Sequence, residues 1–141
     1  MIQDPVETTV MILEGVTEVN TLVNGHIAGG EIKQAVIPSM PQKYAIVAFA
    51  GASAGGYNSG YLPIIQVNLD VRCYGETLYE AVKVHRAIFA GLKYFRRDVQ
   101  NNSLVHSYVP VAGPIQSWDP DGHWPMVVGT YTVTMDERAV A

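Results

Sequence analysis

At 141 residues, 48% of them apolar, the chain is sized for one domain, 1–141, with a core of its own. Nine Lys and Arg against 13 Asp and Glu give a net charge of −4, which argues against a dedicated nucleic-acid binder with its basic face. One cysteine, Cys73, excludes an internal disulfide, the opening MIQDPVETTV has no signal-peptide pattern, and no run approaches the roughly 20 apolar residues that span a bilayer.

Asp4-Pro5-Val6-Glu7 predicts a helix start. Asp4 caps, Pro5 suits the first helical position and Glu7 follows three residues after the cap. The helix continues through Val10 and Leu13 and stops near Gly15. Thr17 to Val23 adds a short further turn, ended by Asn24-Gly25. Pro38 and Pro41 then mark extended or turning chain.

Tyr44 to Ala50 reads as a strand. After a glycine-rich stretch comes a clearer one, with Ile65, Val67, Leu69, Val71 and Cys73 on one face. Gln66, Asn68, Asp70 and Arg72 lie on the other, which makes that polar face a candidate contact surface. Thr77-Leu78-Tyr79-Glu80 is a second capping box. Its helix carries Leu78, Ala81, Val82, His85, Ile88, Phe89 and Leu92 at steps of three and four. Lys93, Arg96 and Arg97 gather near its end, where the helix dipole favours cations.

Val105 to Trp118 is a strand interrupted by Pro110, Gly113 and Pro114, hence bent, bulged or at an edge. Asp119-Pro120-Asp121-Gly122 is a turn, and Trp124 to Met135 closes the chain as a last strand. Trp118 and Trp124 flank the turn and are placed to pack across it. With Asp119, Asp121 and His123 they form a second candidate contact. The element order predicts an α+β fold. An antiparallel or mixed sheet carries two helices on one face and a long glycine-rich hairpin loop.

Gly51, Gly55, Gly56 and Gly60 have no Lys or Arg among them, and the next element is a strand rather than a helix. Both features are wrong for a phosphate cradle. The loop spans about ten residues, more than a hairpin needs. Ser53, Asn58, Tyr57 and Tyr61 give it polar and aromatic groups, so it reads as a segment that orders against a partner.

His26, His85, His106 and His123 lack metal-ligand spacing. Asp-Pro-Asp-Gly-His fails as an EF-hand because Val128 stands where the closing Glu belongs. Cys73 reads as core, and no nucleophile elbow or paired carboxylates appear. The sequence therefore assigns no catalytic residue, no metal site and no cofactor.

Taken together, "TLVNGHI", "PQKYAIVAF", "IIQVNLDVRCYGETLYEAVKVHRAIFAGL" and "GTYTVTM" resemble the tail-terminator, or tail-completion, family of tailed bacteriophages. The resemblance runs over roughly residues 4 to 136 in element order. It rests most on the strand-to-helix passage from Val67 to Leu92. It implies a structural virion protein without catalysis, located at the tail or neck and assembled in the host cytoplasm. The implied assembly is a homo-oligomeric ring, commonly hexameric, at the head-proximal end of the tail. There it would end growth of the tail-tube protein and meet the head–tail connector or stopper. DNA would pass through the lumen without specific binding, and no membrane would be involved. Two alternatives remain: another neck or head–tail adaptor ring, or a small α+β ligand-binding domain or enzyme. The latter would use loop 51–60 as a lid over a pocket with His106 or His123.

Overall fold

The computed structural model describes residues 4–31, 37–52, 64–100, 102–120 and 122–136. The first helix, α1 (Pro5–Glu14), starts as the sequence dictates. Asp4 Oδ1 accepts from the Val6 N–H at 2.9 Å, with Pro5 in the first turn. Its buried face is Thr8, Thr9, Ile12 and Leu13, with Val10 only half-buried. The buried Thr9 is tolerated because its hydroxyl is satisfied. Thr9 Oγ1 lies 2.9 Å from the Tyr108 hydroxyl across the core.

The residues expected as a further turn form a true helix, α2 (Thr17–Val23). It ends on Asn24 in the left-handed region at φ 53°, a C-cap that asparagine tolerates. The third helix, α3 (Leu78–Lys93), is capped by Thr77 Oγ1, which accepts from Glu80 N–H. The Glu80 carboxylate reaches back to Glu76 N–H at 2.9 Å. Its buried side chains are Ala81, Val84, His85, Ile88 and Leu92, so Val84 rather than Val82 faces the core.

Six strands follow the order β1-β2-β3-β6-β5-β4. They are β1 (Ile27–Gly29), β2 (Tyr44–Ala52), β3 (Ile64–Tyr74), β4 (Asp98–Gln100), β5 (Ser103–Trp118) and β6 (Pro125–Asp136). Every neighbouring pair is antiparallel except β1–β2, which makes the sheet mixed. This is the α+β architecture predicted, with helices on one face. One side of the sheet packs Ile65, Leu69, Val133 and Met135 against Leu13, Ile88 and Leu92.

The other side is not polar throughout. At the end where β3 finishes, Tyr44, Ile46, Tyr74 and Met126 form a second apolar cluster, flanked by Trp124 and Met40. No helix among the described residues is long and apolar enough to cross a membrane.

Candidate functional site

The alternation in β3 is real. Gln66, Asn68, Asp70 and Arg72 are half-buried between the fully buried residues of the opposite face. The register sets Asn68, Asp70 and Gln66 opposite Thr132, Thr130 and Thr134 of β6. Thr130 Oγ1 donates to Asp70 Oδ1 and Thr132 Oγ1 to Asn68 Oδ1, each at 2.7 Å, and Gln66 Nε2 donates to Thr134 Oγ1 at 3.4 Å. Such cross-strand pairs contribute roughly 0.2–1 kcal/mol each. The face is therefore a polar ladder stiffened by cross-strand hydrogen bonds.

Arg72 ends that ladder and joins it to the turn. With Tyr74, Asp119, Trp124 and Ile46 it lines an open pocket of about 560 Å³. Asp119 organises the turn: its Oδ1 accepts from Gly122 N–H at 2.8 Å and its Oδ2 from the Tyr74 hydroxyl at 3.2 Å. Burial, with Asp119 beside it, pushes the Tyr74 phenol up to about 12, so it stays a donor. The Trp124 indole meets Tyr74 edge-on at 6.2 Å, while Trp118 stays 56% exposed at the end of β5. The ring contact of Trp124 is thus with β3, because the inner cluster offers a buried aromatic partner. His123 sits in the turn at φ 56°. The strand face and the turn, separate in sequence, meet at this pocket. Asp121 lies outside the described residues. So do Ser53, Gly55, Gly56, Tyr57, Asn58, Gly60 and Tyr61 of the loop. Gly51 is the last-but-one residue of β2, where the register with β3 shifts.

Burial pushes the Cys73 thiol and the Tyr108 and Tyr131 phenols up. A thiol held protonated is a poor nucleophile. Among the described residues no three His, Cys, Asp or Glu gather as metal ligands. His26 stacks on Tyr44 at 5.4 Å, and His106 Nε2 lies 2.9 Å from Asp136 Oδ1.

His85 was legible as a core histidine, but not its setting. It lines a cavity of about 230 Å³ under residues 110–114 of β5, together with Tyr131. Its Nδ1 and the Tyr131 hydroxyl are buried with no protein hydrogen-bond partner. Desolvation lowers the His85 pKa below its ordinary 6.5. The unfolded chain then binds more protons than the folded one just below that value, so stability falls as pH drops through it. We expect urea midpoints measured from pH 7 to pH 5 to decline, and the decline to be shallower in His85→Gln. Parallel declines in the two proteins would mean that His85 is not charged on unfolding.

Two surfaces escaped sequence reading. One is the exposed apolar row of β5, Val109, Val111 and Ile115, of which Val109 and Ile115 share the face of the polar ladder. The other is an open groove between α1 and the β1–β2 edge. A signal for the first was present: Ser103 to Trp118 contains no Lys, Arg, Asp or Glu.

No family model and no curated protein matches the chain. Its fold does match solved structures. A chain of the virion of a native gene transfer agent particle superposes with a TM-score of 0.69 at 7% identity, over 94% of each chain. The gp17 protein of bacteriophage SPP1 superposes with a TM-score of 0.50 at 17% identity, over 91% of this chain and 86% of that one.

Proposed function

We propose that this chain is a structural virion protein that forms a ring at the head-proximal end of a phage tail. In this reading it ends tail-tube growth and joins the tail to the head connector, without catalysis. The observation that carries the reading is the fold match, which spans nearly the whole of both chains in a gene transfer agent virion. The likeness to a bacteriophage protein supports the same reading. At such identities what the chains share is shape, which is what an assembly part must keep.

The polar ladder fits a wall past which DNA slides. Gln66, Asn68 and the β6 threonines are neutral, and Asp70 and Arg72 carry opposite formal charges. A surface without a row of cations has little hold on phosphates. The turn at Asp119 to Trp124 and loop 51–60 are the further contact surfaces in this reading, toward the tube protein or connector.

Gold labelling of intact particles with an antibody to this chain tests the location. Label at the head–tail junction is expected, and label elsewhere or none contradicts the reading. Shortening residues 53–60 to two residues, which spares the end of β2, is expected to leave the unfolding curve in place and reduce the yield of joined particles. Normal joining by the shortened chain would make the loop idle.

A further inference from the structure

Two surfaces of unlike character lie at opposite ends of the strand order. At one end, β4 covers β5 only from Ser103 to Val105. Beyond that, β5 has β6 on one side, and no described strand flanks the other. Val109, Val111, Ile115 and Trp118 are each at least half exposed on this edge strand, and the register sets Val109 and Ile115 on the same sheet face as the polar ladder. An apolar row on an uncovered edge is what monomeric proteins usually blunt with charge, and this strand carries none. Pro110 and Pro114 remove N–H donors, so the edge is poorly suited to extend a neighbour's ladder along its length. What it offers is side chains. Lys93, Arg96 and Arg97 stand exposed just before β4, at the same end of the order.

At the other end, α1 and the β1–β2 edge enclose an open groove of about 580 Å³. Val6, Val10 and Met11 supply its apolar wall, and Asp4, Glu7 and Glu14 line it as well. Among the described residues no ion pair engages Glu7, Glu14, Arg96 or Arg97.

We propose that a second copy of this chain fills the groove. The Val111–Ile115 edge of one copy seats between α1 and β2 of the next, and the basic turn before β4 faces the acidic groove. Apolar surface meets apolar surface, and cations meet carboxylates. The contact is heterologous: each copy spends one surface and leaves the other free, so successive copies close into a ring or run on as a filament. This inference rests on the ring reading above and names the two surfaces that would build it.

Sedimentation velocity of the full chain over a concentration series tests it, using two variants whose folding is checked by circular dichroism. Val111→Asp with Ile115→Asp damages only the strand surface. Met11→Lys, at a residue 45% exposed on α1, damages only the groove. Wild type is expected to assemble, and each variant alone to associate roughly 30-fold more weakly, the size of a hot-spot loss. An equimolar mixture keeps one intact pair of surfaces and is expected to form a dimer and nothing larger. Wild-type assembly by either variant, or a monomeric mixture, overturns the proposal. So does a wild type that stays monomeric throughout, in which case the prolines are edge protection. That last result leaves the virion reading standing, because gold labelling decides it separately.

Discussion

Truncating Ile88 to alanine lowers the free energy of unfolding by about 2–5 kcal/mol, the range for a large aliphatic side chain removed from a packed core. Ile88 is fully buried at the centre of α3, within the main cluster of Leu13, Leu69, Leu92 and Val133. The loss has two parts. The transfer energy of the deleted atoms goes, and a cavity remains because helix and sheet cannot close together without moving the capped start of α3. Arg86 is exposed on the same helix, and its truncation is expected to change stability by no more than about 0.5 kcal/mol. Urea denaturation of both variants reads the contrast. Equal small losses would mean that α3 does not pack through the face described.

Replacing Gly113 by valine is the second large effect, a loss of about 2–5 kcal/mol from combined backbone strain and overpacking. Gly113 holds φ +89°, a conformation that side-chain-bearing residues rarely adopt, and a Cβ there would stand 2.6 Å from the Val128 carbonyl oxygen. That oxygen belongs to β6 and cannot give way as a side-chain tip would. Gly30 is a matched contrast. Its φ is +81°, but a Cβ would meet nothing within 4 Å, so Gly30→Ala carries the strain alone. Its expected cost is about 1 kcal/mol. The larger loss at Gly113 would also disturb the proposed contact between copies, because the bulged segment it anchors carries Val111 and Ile115. An unchanged urea midpoint in Gly113→Val would show that the β5–β6 register around Val128 is wrong.

Much of this fold is legible because it is local. The caps at Asp4 and Thr77 follow from hydroxyl and carboxylate oxygens placed before helical runs, and both make the bonds expected of them. The alternation from Ile65 to Cys73 gives the buried face of β3 directly. The short strands β1 and β4 are not legible: three residues carry no period, and they exist because β2 and β5 offer partners. The helix α2 lacks a side-chain cap at Val16, so its strength as a helix comes from packing Val19 and Val23 into the core.

Of the candidate surfaces, the identity of the polar face could be read, but not its pairing with the β6 threonines. That pairing needs a register set across 60 and 64 residues of chain. The link between Arg72 and the turn was hidden for the same reason. The exposed row on β5 was masked by its prolines, which read as interruption although the strand runs through them.

The proposed role of this chain is to end tail growth. Electron microscopy of particles produced when its gene carries an early stop codon tests that most directly. Overlong tails lacking heads are expected. Filled heads beside tails of normal length would contradict that role and place the chain on the head side of the junction, and normal infectious particles would contradict both positions.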